Sequence, residues 1–384
     1  MYPAREGPCQ AHPFVCSFRK TGPGILVLLR GAYFRWGPSI VSSGLQLLSG
    51  PSWTVLQLPQ PDAWALASAA VGVVWCLGPS GWPLRWAAPL MWLPLLAPAA
   101  AAPAEGAFTL TALDIGQGSS IVVETAHHVL LFDAGPGPES THAGERIVVP
   151  HLQPAGIAAL DTLIISHADS DHSGGAPAVL DNVEVRQLLA GLAPANPLWS
   201  KARQAGAQAV RCAAGQHWRW DGVDFSILWP DAGPLQGKPN AHCCVLRVSA
   251  GGDGHDAGIQ THEKENKPLV ALLAADIEAP VERTLLAREP EALRAQVLLV
   301  PHHGSKTSST EPFLDSIGPS IAVFQVGYRN RFHHQYPGVY ERYLARGIEL
   351  SRSDDDGAAR IEAHDATLSL ERYRQTHRRY WMDR

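Results

Sequence analysis

The stretch SHADSDHSGG, residues 166–175, holds four side chains of the kinds that bind metals: His167, Asp169, Asp171 and His172. Imidazole nitrogens and carboxylate oxygens are common ligands of divalent cations in proteins. An isolated histidine is more often a surface or core residue, but this density within one short stretch favours a metal-binding loop. The chemistry to expect is hydrolysis assisted by a bound cation.

Two later stretches end in the same residue types. LVALLAADIE leads to Asp276, and AQVLLVPHHG leads to His302 and His303. Each follows an apolar, strand-like run, as residues 166–175 follow LII. Rigid strands fix the loops at their ends, where α/β folds place their sites. The three strand ends therefore predict one shared site.

The elements that must position these residues alternate between strands and helices, which predicts an α/β domain. The predicted strands are 110–116, 120–124, 128–135, 161–169, 223–230, 243–249, 269–277, 295–304 and 321–327. The predicted helices lie near 175–181, 279–288, 310–317 and 338–346. The composition of 251–267 predicts an exposed loop.

Composition excludes few functions. The 384 residues carry a formal net charge of −5, so the chain as a whole does not attract nucleic acid. Six cysteines without C-x-x-C spacing argue against a thiolate zinc site or a disulfide scaffold. Cys243 and Cys244 lie in a strand-like run, where we interpret them as small apolar residues.

Upstream of Glu105 the chain is apolar. Residues 63–79 and 87–104 each approach the roughly 20 residues of a membrane helix and are linked through Arg85, with tryptophans near their ends. We predict a membrane-associated segment at 51–104 containing two transmembrane helices. An Ala/Pro-rich linker or a buried hairpin is the alternative. Residues 1–50 are left unassigned.

The motifs taken together resemble the metallo-β-lactamase fold superfamily, which implies an αββα sandwich, here preceded by a partial transmembrane helical region. Its H-x-H-x-D-H loop is similar to the stretch that begins at His167. The resemblance also implies that Asp133, in LLFDAGP, supports the site from behind. The metal ligands that the site residues and the resemblance imply are His167, Asp169, Asp171, His172, Asp276 and His303.

A narrower resemblance is to the ComEC family, bacterial competence proteins of the inner-membrane DNA-uptake channel. Its motifs here are ALDIGQGSS, SHADSDHSGG, NAHCCVL, AADIE, VPHHGSKTSS and GYRNRFHHQYP. The chain resembles a C-terminal portion of that family, with the hydrolase domain at 105–375 and a basic, aromatic tail at 376–384. The implied partners are DNA, single- or double-stranded, the membrane and other components of the uptake machinery.

Asp169 stands where the superfamily pattern has a histidine. We expect two divalent ions. A carboxylate oxygen is a harder ligand than an imidazole nitrogen, so Mn²⁺ or Mg²⁺ is favoured over Zn²⁺. The superfamily's further histidine, midway along the domain, has Asn240 near its place, and His242 is a possible substitute.

The expected mechanism is an in-line displacement at phosphorus, with two cations holding the attacking and departing oxygens. Asp171 then has a catalytic role at the attacking water, and His302 protonates the leaving oxygen. The sequence leaves open which of His302 and His303 is the ligand, and the resemblance of PHHG to a P-G-H-G turn favours His303.

Candidate substrate contacts follow the histidine pair. Ser305 and Lys306, in GSKTSS, form either a phosphate seat at a helix start or an ordinary N-cap cluster. Asn240 and His334 are further candidates. The arginines and aromatic residues of the tail suit single-stranded DNA, an anionic membrane surface or simple solvation, of which solvation is the commonest.

The resulting hypothesis is a membrane-attached, metal-dependent nuclease that degrades the non-imported strand during DNA uptake. One alternative is a hydrolase of the same fold acting on a different ester, a lactone or a β-lactam. Another is a non-catalytic, DNA-binding channel component. Arg85 in the turn between the apolar stretches places the turn in the cytoplasm and the hydrolase domain on the periplasmic side.

Overall fold

A computed structural model describes residues 42–44, 47, 60–79, 81–96, 102–235, 237–251, 268–330, 335–364 and 367–378. The chain divides into two compact units, Met1–Leu56 and Gln57–Arg384. Most of the unassigned segment 1–50, most of the predicted loop 251–267 and the end of the tail therefore lie outside the described residues, as does His334.

The second unit is built on two β-sheets. The strands are β1 Phe108–Ala112, β2 Ile121–Glu124, β3 Val129–Phe132, β4 Ala159–Ile165, β5 Glu184–Ala190, β6 Gln208–Arg211, β7 His217–Trp220, β8 Val223–Trp229, β9 Val245–Ala250, β10 Leu269–Leu273, β11 Val297–Leu299, β12 Ile321–Phe324, β13 Glu349–Arg352, β14 Ala359–His364 and β15 Thr367–Arg372. The first sheet has the order β15-β14-β1-β2-β3-β4-β5-β6, and the second has the order β13-β12-β11-β10-β9-β8-β7.

The helices precede, connect and cover these strands. The α-helices are α1 Ala63–Leu77, α2 Leu93–Leu96, α3 Val149–Leu152, α4 Ser170–Ser173, α5 Ala176–Asn182, α6 Leu198–Gln204, α7 Ala279–Arg288, α8 Glu311–Ile317, α9 Pro337–Ala345, α10 Ser353–Asp356 and α11 Tyr373–Thr376. Shorter helical turns occupy Arg85–Trp92, Gly144–Val148, Pro239–His242, Pro290–Leu293 and Pro301–Gly304.

Alternation along the strands builds the core. In β1, Phe108, Leu110 and Ala112 join a buried cluster with Phe225 and Ile227 of β8, so this cluster includes residues of both sheets. A second buried cluster joins the first sheet to α3, α5 and α6. The predicted αββα sandwich is confirmed, because period-2 strands bury one face against the facing sheet and the other under helices.

Parallel pairing determines where the site forms. In the first sheet β3 pairs parallel to β4, and in the second β10 pairs parallel to β11 and β11 to β12. Parallel neighbours end at the same edge of a sheet. The loops after β3 and β4, and after β10 and β11, therefore bring together residues that are far apart in the sequence.

The predicted strands and helices occur where the apolar runs place them. β5, β6, β7 and the three strands from β13 onward were not predicted, because they are short or partly polar. β15 lies at an edge of its sheet and contains only exposed and partly exposed residues. Its polar composition does not stand out from that of a loop.

The interpretation of Cys244 as a small apolar residue was wrong. Cys244 forms a disulfide with Cys212, which is 32 positions away in the sequence, and their Cα atoms lie 6.0 Å apart. Cys212 follows β6 in the first sheet and Cys244 precedes β9 in the second. Only the packing of the two sheets brings them together, so cysteine spacing does not reveal the pair. Cys243 is a free, buried thiol.

The apolar segment before the sandwich forms a short helical hairpin. α1 packs against the turn Arg85–Trp92, and the Arg85 guanidinium donates hydrogen bonds to the Cys76 carbonyl oxygen. In the parts of the chain that the structure describes, no helix has both the length and the apolar character that crossing a bilayer requires.

Asp221 ties two hairpin turns together. Its Oδ2 accepts hydrogen bonds from Thr125 Oγ1 and the His127 backbone N–H, each at 2.7 Å. Burial raises the pKa of Asp221, but these hydrogen bonds outweigh burial and lower the pKa to about 2. A carboxylate whose folded pKa lies below its unfolded value of about 3.9 stabilises the fold above that value, and its contribution is lost as the pH falls towards the folded pKa.

We therefore predict that Asp221→Asn lowers the free energy of unfolding at pH 7 by about 1 to 2 kcal/mol, the worth of weakened hydrogen bonds to a charged group. The difference between wild type and variant shrinks as the pH falls from about 4 to about 2. Urea unfolding at several pH values measures both effects. Asp181→Asn, at a carboxylate that is 62% exposed, is the control and should change stability by under about 0.5 kcal/mol. An equal loss in both variants contradicts the prediction.

Candidate metal centre

Asp133 lies at the base of the site. It is fully buried after β3, and its carboxylate accepts hydrogen bonds from the Ser166 N–H and the Ser166 hydroxyl, each at 2.7 Å. Its Oδ2 also lies 2.7 Å from Nδ1 of His172. These contacts fix the His172 ring so that Nε2 points away from Asp133, which is how supporting carboxylates orient metal-binding histidines.

Nε2 of His172 faces the other side chains of the predicted site. It lies 3.2 Å from His303 Nε2 and 3.2 Å from Asp276 Oδ1. His303 Nε2 lies 3.5 Å from both Asp171 Oδ2 and Asp276 Oδ1. Loops after β4, β10 and β11 therefore converge on one point.

His167 approaches the same point from the strand end. Its Nδ1 lies 3.0 Å from the Ser166 hydroxyl, and its Nε2 lies 3.6 Å from Oδ2 of Asp169. Among the described residues, the fully buried Nε2 of His167 has no hydrogen-bond partner. A buried ring nitrogen left without a partner costs free energy, so this atom fits a metal ligand.

The possible ligand atoms form two groups. In each group the atoms lie within 4.8 Å of one another: His167, His172 and Asp276 form one, and Asp171, His172 and His303 form the other. The side chain of Asp169 is 47% exposed and borders the first group. Imidazoles combined with carboxylates suit divalent cations, and the carboxylate share suits hard ones.

The charges of the site depend on one another. Burial raises the pKa of Asp276, but the neighbouring His172 and His303 outweigh burial and hold that pKa well below its usual value. Burial lowers the pKa of His172, while Asp276 and Asp133 raise it well above its usual value. Burial raises the pKa of Asp171, and His172 and His303 hold it below its usual value. Ionised carboxylates therefore face the place where a cation would lie.

His302 lies at the edge of this group. Its side chain is 19% exposed, and its Nε2 lies 3.7 Å from Asp276 Oδ2 and 3.4 Å from Asn240 Nδ2. On the other side of the ring, Nδ1 lies 3.4 Å from Glu278 Oε1 and 3.3 Å from the Thr307 hydroxyl. Burial lowers the pKa of His302 and outweighs the opposing effect of Asp276.

The two candidates near the missing midway histidine occupy different places. Asn240 contacts His302, as described above. His242 points Nδ1 at the Pro239 carbonyl oxygen, 2.7 Å away. Burial and the nearby His167 lower the pKa of His242.

Glycines allow the loops to approach one another. A Cβ on Gly118 would lie 2.2 Å from the backbone oxygen of Asp171, and one on Gly175 would lie 2.1 Å from the backbone oxygen of Ala134. Gly118 also has φ +131°, a conformation that L side chains rarely adopt. The GQGSS loop and the helix that begins after Asp169 therefore pack backbone against backbone beside the ligands.

The sequence analysis missed two residues that support this packing. Gln325, buried at the end of the β12 run, accepts from the Ser119 hydroxyl and the Ser120 N–H and donates to the carbonyl oxygens of Leu113 and Ser120. The sequence does mark Gln325, because it is the one polar side chain in the otherwise apolar run IAVFQVG. Ser166, directly before His167, joins Asp133 to both histidines of the loop.

The hydroxyls of GSKTSS bond mainly within their own turn. Ser305 Oγ lies 3.2 Å from Thr307 Oγ1, and Ser308 Oγ donates to the Pro301 carbonyl oxygen at 2.8 Å. This arrangement favours a loop-stabilising role for Ser305 over the phosphate seat. Lys306 is exposed.

Comparison with known proteins agrees with this geometry. Residues 113–254 match the Metallo-beta-lactamase superfamily. The Competence protein ComA of Neisseria gonorrhoeae is 33% identical over 331 residues, which is 86% of this chain and 42% of that protein. The ComE operon protein 3 of Bacillus subtilis is 28% identical, over 64% of this chain and 32% of that protein. The chain thus spans less than half the length of these relatives.

Among solved structures, the metallo hydrolase Igni18 from the archaeon Ignicoccus hospitalis aligns with 67% of this chain and all of its own, at 12% identity and a TM-score of 0.41. The resemblance found in the motifs is confirmed in two ways. The similar proteins include a competence protein, and the residues that match the metallo-β-lactamase superfamily include the first loop of the site.

The support from Asp133 yields a prediction. Asp133→Asn keeps the shape of the side chain but removes the charge that orients His172, so Mn²⁺ affinity should fall by about 10- to 100-fold. Titration of the full chain with Mn²⁺, with free ion measured by electron paramagnetic resonance, reports the change. Asp161→Asn is a matched control, because Asp161 caps the Val129 N–H at the other end of β4. Unchanged Mn²⁺ affinity in Asp133→Asn contradicts the assigned support.

Proposed function

Since the chain carries a metallo-β-lactamase domain and is homologous to bacterial competence proteins, we propose that it is a metal-dependent phosphodiesterase that hydrolyses DNA during DNA uptake. The hydrolase domain extends over residues 105–375. Its substrate is the strand that is not imported, and its partners are the other components of the uptake machinery.

One observation carries the proposal. Loops from both sheets bring three imidazoles and three carboxylates to one point, where a buried ring nitrogen of His167 has no hydrogen-bond partner among the described residues. A cleft of about 520 Å³ adjoins this point and is lined in part by Asp171, Gln117 and Asn330. A polymer chain can reach the ligands through an open cleft of this kind.

We assign two cations to the site. The residues that hold them are His167, Asp169, Asp171, His172, Asp276 and His303. The three carboxylates contribute a formal charge of −3 against +4 from two divalent ions, so the loaded site keeps a positive charge that suits a phosphodiester. The carboxylate at position 169 favours Mn²⁺ or Mg²⁺ over Zn²⁺.

Bound cations supply charge stabilisation at phosphorus and lower the pKa of the attacking water. Asp171 and Asp276 orient that water through their carboxylate oxygens. The attacking water loses a proton as it attacks, and Nε2 of His302 would take up a proton and pass it to the leaving oxygen. Glu278 and Thr307, 3.4 and 3.3 Å from the other ring nitrogen, hold the ring of His302 in position.

Membrane attachment is the second part of the proposal. The hairpin at residues 63–96 exposes large apolar side chains, with Trp64 83% exposed, Trp86 80% and Leu77 79%. An apolar surface of this kind is a common mark of a membrane or protein interface. We place the protein at the inner membrane, and if the apolar segment crosses the bilayer with Arg85 in a cytoplasmic turn, the positive-inside rule would set the hydrolase domain on the periplasmic side.

The catalytic proposal predicts the following result. The full chain with Mn²⁺ cleaves DNA, and chelation stops cleavage. Asp171→Asn and His172→Ala should each lower kcat at least 1,000-fold, because each removes a ligand or an orienting group. Gel assays with labelled single- and double-stranded oligonucleotides measure the rates, and circular dichroism checks folding. Asp161→Asn should retain wild-type rates.

Two other outcomes would overturn this function. Hydrolysis of a lactone, a β-lactam or another ester with Zn²⁺, without DNA cleavage under any metal, would assign the site to a different substrate. DNA binding that survives chelation, without cleavage in Mn²⁺, would assign the domain a non-catalytic role in the channel.

The membrane proposal predicts that the full chain floats with vesicles of phosphatidylethanolamine and phosphatidylglycerol in a density gradient. Trp64→Ser combined with Trp86→Ser should lower the bound fraction about 10-fold, because two exposed aromatic anchors are removed. Tyr373→Ser is the control at an exposed aromatic residue outside the hairpin. Wild-type protein that stays at the bottom of the gradient refutes attachment through this hairpin.

A further inference from the structure

Exposed aromatic rings lie beside the metal centre. Among the described residues of the second unit outside the hairpin at 63–96, four large apolar or aromatic side chains are strongly exposed: Tyr328 at 72%, Leu344 at 53%, Tyr336 at 48% and Tyr373 at 43%. Single exposed aromatic rings are ordinary on a protein surface. Tyr328 and Tyr336 are different, because the segments that carry them are bonded to the loops of the site.

The turn that carries Tyr328 forms part of the cleft. It follows β12, and the Gly327 N–H donates to Gln117 Oε1 at 3.2 Å. Asn330 closes the turn, with its N–H and its Nδ2 both donating to the Gly327 carbonyl oxygen at 3.2 and 3.1 Å. Gln117 and Asn330 line the same cleft as Asp171. The ring of Tyr328 therefore projects from a turn that forms a wall of this cleft.

Tyr336 is joined to another loop of the site. Its N–H donates to the Gly304 carbonyl oxygen at 2.9 Å, and Gly304 directly follows His302 and His303. An exposed ring therefore adjoins each of two loops that border the metal centre.

A cation accompanies the more exposed ring. The guanidinium of Arg329 lies 5.2 Å from the ring centre of Tyr328. Arg329 has φ +50°, a left-handed conformation that costs a non-glycine residue free energy and recurs at functional sites. An exposed ring with an adjoining cation matches the two parts of a nucleotide, since the base can stack and the phosphate can pair with the charge.

We propose that Tyr328, Arg329 and Tyr336 form a stacking rim that binds unpaired bases and directs the DNA backbone onto the metal centre. The rim makes the site select single-stranded over fully paired DNA, because the faces of paired bases are covered by their neighbours in the duplex. This inference rests on the proposed nuclease function and adds the substrate class and the residues that select it.

The test compares base-bearing and abasic DNA. Fluorescence anisotropy of labelled dodecamers is measured with the full chain in Ca²⁺, which binds oxygen ligands and neutralises the carboxylates of the site, and a gel checks that the dodecamers stay intact. Wild type should bind oligothymidylate about 10-fold more tightly than an abasic dodecamer of the same backbone. Tyr328→Ala should weaken binding of oligothymidylate without changing binding of the abasic dodecamer, and Tyr328→Ala combined with Tyr336→Ala should bind both oligomers with the affinity of the wild type for the abasic one. Tyr328→Trp should keep the preference, since indole also stacks on bases.

Tyr373→Ala is the matched control, because Tyr373 is an exposed ring on α11, which borders a different cavity. It should leave the preference unchanged. A wild type without preference for base-bearing DNA, or a Tyr328→Ala variant that keeps the preference, overturns the rim. The nuclease proposal is judged separately by cleavage in Mn²⁺, so wild-type cleavage with an unaffected Tyr328→Ala variant refutes the rim alone.

Discussion

The buried carboxylate of Asp133 is the contact on which the site depends. It accepts the N–H and the hydroxyl of Ser166 and bonds to Nδ1 of His172, so one side chain joins the ends of β3 and β4 to α4. A buried carboxylate is stable only when such partners surround it. Because these bonds fix the His172 ring, its other nitrogen faces the residues that arrive from the second sheet.

Close backbone packing holds the GQGSS loop beside the candidate ligands. Gly118 and Gly175 remove the side chains that would separate the GQGSS loop, α4 and the end of β3. Gln325 then bonds the GQGSS loop to the end of β12, which belongs to the other sheet. Since Asp171 packs on Gly118 while His303 follows β11, the sandwich aligns ligands from two sheets within a few ångströms.

The balance of charge follows from this packing. Histidines that face Asp171 and Asp276 keep both carboxylates ionised despite burial. The same carboxylates offer hard oxygen ligands to a cation. Outside the ligand group the character of the surface changes, because the turn after β12 presents a ring and a guanidinium in place of carboxylates. In the proposed function, the cations and the polyanion therefore bind at distinct places on one edge of the sandwich.

The sequence by itself determined the fold class and the candidate ligand residues. Apolar runs with period 2 identify the strands, and the residues directly after them, such as His167, Asp276 and His303, identify the site, because strand ends at one edge must meet. Resemblance to a known family assigned Asp133 its supporting place. These features are local, so they can be read along the chain.

Only the tertiary structure decided the contacts between distant segments. The Cys212–Cys244 disulfide, the bonds of Gln325 and the place of Tyr328 beside the cleft all depend on how the sheets and their loops pack. The structure also separated the roles of neighbouring histidines, since His303 faces Asp171 and His172 while His302 lies at the rim near Glu278. Adjacent residues share a sequence context, and the backbone direction at the turn determines which ring points inward.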